Sequence, residues 1–120
     1  MEDRRAILRR LIEFSAPLDE TLAFLRTFPW DSDEELVTLT ADHVAGVLRR
    51  YQARDLTARQ VEEWADAVEM REDIEFADSP DGRVQDAVNF LADPYLFGQL
   101  TPTRAQEWMR LLKESDLGTP

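Results

Sequence analysis

Residues 42–64 recur 44 positions later, as residues 86–108. Asp42 matches Asp86, Val44 matches Val88, Tyr51 matches Tyr95, Leu56 matches Leu100, Thr57 matches Thr101, Glu63 matches Glu107 and Trp64 matches Trp108, so seven of the 23 positions are identical. Val47 with Leu91, and Val68 with Leu112 just beyond the span, keep their apolar character. The shared pattern is an amphipathic helix, a short turn, a Leu-Thr cap and a helix carrying Glu-Trp, which predicts two copies of one helical hairpin. Two copies are fewer than a solenoid stacks, so they need further elements to cover their apolar faces. The alternative is that any two capped amphipathic hairpins look alike.

The rest of the 120-residue chain also reads as helix. Ile7, Leu8, Leu11 and Ile12 recur at helical spacing within residues 3–14, while Arg4, Arg5, Arg9 and Arg10 fall on other faces. Ser15 and Pro17 break this helix, and Pro17 suits the first turn of a second one carrying Leu18, Leu22, Leu25 and Phe28 before Pro29 ends it. Residues 30–39 have no helical period and read as a linker with a short extended segment at Leu36-Val37-Thr38-Leu39. Thr40 caps a third helix with Val44, Val47, Leu48 and Tyr51 on its apolar stripe. The sharpest start signal is at Thr57: Thr57 and Gln60 have the spacing of a capping box, and Leu56 and Val61 that of a hydrophobic staple. The fourth helix then turns Val61, Trp64, Ala65 and Val68 inward and fades after Arg71. Ser79-Pro80 opens a fifth helix that Asp93-Pro94 stops, and Thr101-Pro102 opens a sixth with Ala105, Trp108, Met109 and Leu112 inside. The expectation is one all-α domain over residues 1–120, of about six helices, with hairpins near 41–71 and 83–114 packed against an N-terminal hairpin.

Composition removes much chemistry. There is no cysteine, hence no disulfide, thiolate nucleophile, iron–sulfur cluster or cysteine zinc site. The only histidine, His43, has no second imidazole for a zinc helix and reads as a solvated residue in a first helical turn. Four scattered glycines write no phosphate-binding loop. Asp78-Ser79-Pro80-Asp81-Gly82 lacks the alternating ligands and terminal glutamate of a calcium loop. No cofactor or metal is expected, and the chain reads as a non-enzyme. No apolar run approaches the roughly 20 residues of a membrane span, and Met1-Glu2-Asp3-Arg4-Arg5 lacks a signal-peptide layout, so a cytoplasmic location is expected. With 25 acidic residues against 14 basic ones, a net charge of −11 opposes binding to nucleic acid or an anionic membrane. Thirteen of those 14 cations are arginine, which favours bidentate ion pairing.

The charge is concentrated. Residues 62–81 hold nine acids, Glu62, Glu63, Asp66, Glu69, Glu72, Asp73, Glu75, Asp78 and Asp81, against the single base Arg71. Glu62, Asp66 and Glu69 follow one outer side of the fourth helix, where like charges repel. A solvated face explains this, and so does a surface that captures a basic protein by electrostatic steering. A smaller cluster sets Trp30 beside Asp31, Asp33, Glu34 and Glu35, where the indole serves either as an interface anchor or as a plug between hairpins. The candidate partner-binding residues are therefore Glu62, Asp66, Glu69, Glu72, Asp73, Glu75, Trp30, Asp31 and Asp33. Phe90 and Phe97 fall off the apolar stripes and are either exposed or cover a helix end.

Val47-Leu48-Arg49-Arg50-Tyr51, Leu56 through Asp66 and Arg71-Glu72-Asp73-Ile74 resemble a group of small helical bacterial proteins, many of unknown function. Some of these are labelled immunity proteins of contact-dependent growth-inhibition or colicin-like toxin systems. The resemblance covers about residues 44–76, extends to 112 through the recurrence, and lies in caps and core positions. It implies a cytoplasmic protein without catalysis that blocks a toxin by binding it. The leading expectation is thus a protein–protein interaction module acting through its acidic surface on a basic partner. The alternatives are a structural or regulatory subunit binding through hydrophobic grooves, and an enzyme using convergent carboxylates.

Overall fold

The computed structural model describes residues 4–27, 37–71, 73–77 and 82–117, without the side chains of 114–117. These residues form an essentially all-α fold of seven helices and one pair of three-residue strands, with a radius of gyration of 14.1 Å. Helix α1 (Arg4–Glu13) buries Ile7, Leu8, Leu11 and Ile12, as its spacing predicts. Helix α2 (Leu18–Leu25) turns back along it, burying Leu25 and half-burying Leu18 and Leu22. Thr21 is also buried there, its hydroxyl donating to the Pro17 carbonyl at 3.0 Å.

Two strands not both foreseen follow. Strand β1 (Val37–Leu39) pairs in parallel with β2 (Ile74–Phe76), Val37 opposite Ile74 and Leu39 opposite Phe76. The first lies in the expected extended segment; the second was hidden inside the acidic run. Between them run α3 (Ala41–Gln52) and α4 (Ala58–Glu69), each opened by a complete capping box. Thr57 and Gln60 form theirs as predicted, with Thr57 N–H donating to Gln60 Oε1 at 2.8 Å and Gln60 N–H to Thr57 Oγ1 at 3.1 Å.

The fifth helix, α5 (Arg83–Ala92), starts later than Ser79-Pro80 suggested, behind Gly82 in the left-handed conformation (φ 61°). Ser79 and Pro80 themselves lie outside the described residues. Asp93-Pro94 does end it, but it also starts a further short helix, α6 (Pro94–Phe97), because Asp93 Oδ1 accepts the Leu96 N–H at 3.1 Å and proline suits a first helical position. Helix α7 (Pro102–Leu117) opens at Thr101, whose hydroxyl oxygen accepts the Arg104 N–H at 3.2 Å, and buries Ala105 and Leu112.

The two hairpins cross over each other. Helix α3 packs most extensively along α7, and α4 along α5, so each first helix lies chiefly on the second helix of the other hairpin. Residues 44 apart occupy like environments: Val44 with Val88, Val61 with Ala105 and Val68 with Leu112 are all inaccessible to solvent or nearly so. Cross-ties reinforce this pairing. The Tyr51 hydroxyl donates to the Leu100 carbonyl at 3.3 Å and Gln52 Nε2 to the Pro102 carbonyl at 3.0 Å, while within the second hairpin Arg83 Nη1 of α5 donates to the Leu111 carbonyl of α7 at 2.9 Å.

Trp64 is fully buried, as expected, whereas Trp108 is only half-buried against the core. Their aromatic neighbours come from different places. Phe14, just past α1, stacks on Trp64 with ring centroids 6.4 Å apart, while Phe90 of α5 meets Trp108 at 5.5 Å. Phe90 is therefore a core residue despite lying off the apolar stripe, because Trp108 and Phe97 enclose it. Each pair is topped by an arginine, Arg50 over Phe14 and Arg104 over Phe90.

Candidate functional site

Because α4 buries Val61, Trp64, Ala65 and Val68, its remaining positions face outward. Glu62 is half-buried and Asp66 and Glu69 are exposed, forming the row that their spacing predicts. Glu63, beside the row, is held by Arg59 one turn back at 3.0 Å. Partial burial pushes the Glu69 carboxyl above its ordinary pKa, and the charges of Asp66 and Asp93 push it further. The row is thus a place where negative charge is already crowded and a cation would be relieving.

The acidic run divides at α4's end. Asp73 is only 1% exposed, and its carboxylate takes a two-pronged grip from Arg71, with Nε to Oδ1 and Nη2 to Oδ2 both 2.8 Å. Arg4 of α1 adds its Nε at 2.9 Å from Oδ2. Burial alone would raise the Asp73 pKa, but hydrogen bonds and charges from Arg71 and then Arg4 outweigh it and hold the carboxyl below its ordinary range. Asp73 therefore presents no charge to a partner, contrary to its place among the candidate binding residues. Glu75 is exposed on β2, where it accepts the Thr38 hydroxyl at 3.2 Å, apart from the α4 row. Trp30, Asp31, Asp33 and Glu72 lie outside the described residues.

His43 is not the solvated side chain its position suggested. It is half-buried, and its Nδ1 accepts the Thr40 N–H at 2.9 Å, closing the α3 capping box as Gln60 closes that of α4. Burial lowers its pKa, against the weaker opposing pull of Glu13 and Asp42.

A cavity of about 530 Å³ adjoins the acidic row, between the start of α4 and the end of α5. Glu62, Val61 and Thr57 form one wall, and Phe90, Leu91, Pro94 and Tyr95 the other. Helix α6 stands at this mouth with Tyr95 100%, Leu96 71% and Phe97 43% exposed. Only Phe97 was flagged from the sequence. The signal for the others was Asp93-Pro94, which replaces the Arg49-Arg50 of the first hairpin and turns the chain outward. A second cavity, of about 340 Å³ between α3 and α7, is lined by Asp42, Arg49 and Lys113 among others, and its charges are mixed.

Among the described residues, no three carboxylate or imidazole groups are placed to hold a metal ion, and no helix is long and apolar enough to cross a membrane. No family model, curated protein or solved structure matches the chain.

Proposed function

We propose that this chain is a non-enzymatic protein-interaction module that captures a basic protein through the outer face of α4 and the adjoining α6. The observation that carries the reading is the outward row Glu62, Asp66 and Glu69 of α4 together with the exposed Tyr95, Leu96 and Phe97 of α6, Glu62 and Tyr95 lining one cavity. Crowded carboxylates steer a cationic partner and speed encounter, and desolvated aromatic contacts then slow its departure. A net charge of −11 acts in the same sense over the whole molecule. Residues 44–76 resemble small helical bacterial proteins, many of unknown function and some labelled immunity proteins, and the most specific form of this proposal is that the chain blocks a basic toxin domain inside the cell.

Calorimetric titration with purified basic toxin domains tests it. Combined Glu62→Lys, Asp66→Lys and Glu69→Lys should weaken binding by ten-fold or more at low salt, and the difference should shrink as added salt shortens the screening length to about 3 Å at 1 M. Binding that ignores both salt and these reversals would remove the acidic face from the account. The exposure of all three α6 side chains also favours a second reading, a structural or regulatory subunit that binds mainly through this groove. Leu96→Ser would then weaken a partner more than the charge reversals do.

A further inference from the structure

The described chain falls into two halves, each tied within itself. In the first, up to Ala77, Trp64 bonds the Leu11 carbonyl, Arg50 the Phe14 carbonyl and Arg4 the Asp73 carboxylate. In the second, from Gly82, Arg83 bonds the Leu111 carbonyl and Phe90 meets both Phe97 and Trp108. The halves meet chiefly through α3 on α7 and α4 on α5, and each of these faces is far more extensive than that of α3 on α4 or α5 on α7 inside one hairpin. Tyr51 and Gln52 of the first half add their bonds to the Leu100 and Pro102 carbonyls of the second. The chain makes the passage once, between Ala77 and Gly82. Gly82 stands there at the head of α5 in the left-handed conformation (φ 61°), and a Cβ built on it meets nothing within 4 Å. Space therefore does not call for glycine at this position; the backbone angle does. Glycine takes left-handed and extended angles about equally readily, so the same residue also permits an extended passage.

We propose that Gly82 is a hinge through which two copies of this chain exchange their second hairpins, α5 to α7 of each packing on α3 and α4 of the other. The inner faces of α3 and α4 are already fitted to α5 and α7, so a second copy is the partner that meets them with every contact and hydrogen bond between the halves remade. Exchange is reciprocal and closes at two copies, with no face left over to recruit a third. The closed monomer and the exchanged dimer then differ only in the angles at the crossing and in the entropy of association. A short connection holds the halves of one chain at an effective concentration on the order of mM, so dilute chains close on themselves and concentrated ones exchange. Once formed, either state persists, because passing between them means parting both large faces. The α4 row and α6 stay outside the exchanged faces, so the exchange is separate from the capture of a basic partner.

The test refolds the full chain from denaturant at micromolar concentration and again near the effective concentration of about 1 mM, then weighs the products by light scattering after dilution. Monomer is expected from the first and a persistent dimer from the second. In a dimer refolded from mixed isotope-labelled and unlabelled chains, filtered NOEs should connect Tyr51 of one chain with Leu100 of the other. Gly82→Val sets a β-branched side chain at the left-handed angle and strains the closed turn without a clash. Each closed chain is disfavoured roughly ten-fold, so the dimer dissociation constant should fall about a hundred-fold, while Gly82→Asn, which tolerates that angle, should leave it near the unaltered value. Monomer from both refoldings would overturn the proposal, as would a dimer whose Tyr51–Leu100 contacts stay within one chain, since that is side-by-side association. Equal dissociation constants for Gly82→Val and Gly82→Asn would remove Gly82 as the hinge. If Gly82→Val does not fold, the two refoldings of the unaltered chain decide alone.

Discussion

The indole N–H of Trp64 on α4 donates to the backbone carbonyl of Leu11 in the last turn of α1, 2.6 Å away. The Leu11 carbonyl also accepts the Phe14 N–H at 3.1 Å, so the indole is its second donor; the bond fastens α1 to the crossed hairpins and satisfies the buried indole N–H. Trp64→Ala should cost about 3–5 kcal/mol, the range for truncating a large buried aromatic. Trp64→Phe keeps most of the packing and loses this bond while the Leu11 carbonyl keeps the Phe14 N–H, so it should cost about 0.5–1.5 kcal/mol, the net worth of one hydrogen bond. Urea midpoints of the two variants check this, and an unchanged midpoint for Trp64→Ala would contradict the core assignment.

His43 makes the fold sensitive to mild acid. Its Nδ1 accepts the Thr40 N–H, a role only the neutral ring can fill. The unfolded imidazole titrates near 6.5 and the native one lower, so the unfolded chain takes up its proton first. Stability should therefore be flat above about pH 6.5 and decline as pH falls below it, by about 1 kcal/mol, the worth of a helix cap. His43→Gln copies the Thr57–Gln60 box and should abolish that decline in thermal melts taken from pH 7 to 5.

The Asp73 carboxylate, held by Arg71 and Arg4, acts in a lower window. Its native pKa lies below the ordinary 3.8, so its contribution persists above that value and is lost as pH falls through the depressed pKa. Asp73→Asn leaves two partly buried guanidinium groups without their counter-charge and should cost about 3–5 kcal/mol at neutral pH. By contrast, Asp66→Lys on the exposed row should move the midpoint by about 0.5 kcal/mol or less. Equal effects from the two would mean that Asp73 is not the buried hub described.

Arg54 follows α3 in the left-handed conformation (φ 68°), where its amide donates to Tyr51 and the next amide, of Asp55, donates back to Arg50. Glycine is the ordinary residue at that position of such a helix end. Arg54 is exposed, and a non-glycine residue there costs about 1–2 kcal/mol, partly offset by the greater freedom glycine has when unfolded. Arg54→Gly should therefore raise stability by about 0.5–1 kcal/mol, read from the urea midpoint. Gly98, 44 residues further on, already stands at positive φ (91°).

Helix positions and inward faces were legible because caps and apolar periodicity are local: Thr57, Thr101 and the stripe Val61, Trp64, Val68 read directly. Partner choice was not. A stripe shows which face is buried but not against what, so nothing near Val44 or Val88 signalled that α3 would lie on α7 and α4 on α5. Counting charge along the chain likewise misread Asp73, since one of its two arginines is 69 residues away in sequence. Glu62, Asp66 and Glu69 were recognisable as a row, but the cavity beside them depends on where Pro94 sends the chain, a three-dimensional consequence. His43 was missed because histidine seldom serves as the third residue of a capping box, although its spacing from Thr40 was the signal.

The crossing of the hairpins has a consequence for synthesis on the ribosome. When the chain has emerged as far as α6, α4 already has α5 beside it, yet α3 still shows solvent the face meant for α7. Of the helices described, the one that emerges latest is thus the one that seats an early one. Two halves made separately at the boundary after β2 would each lack a principal contact, so the domain completes its folding only once α7 arrives.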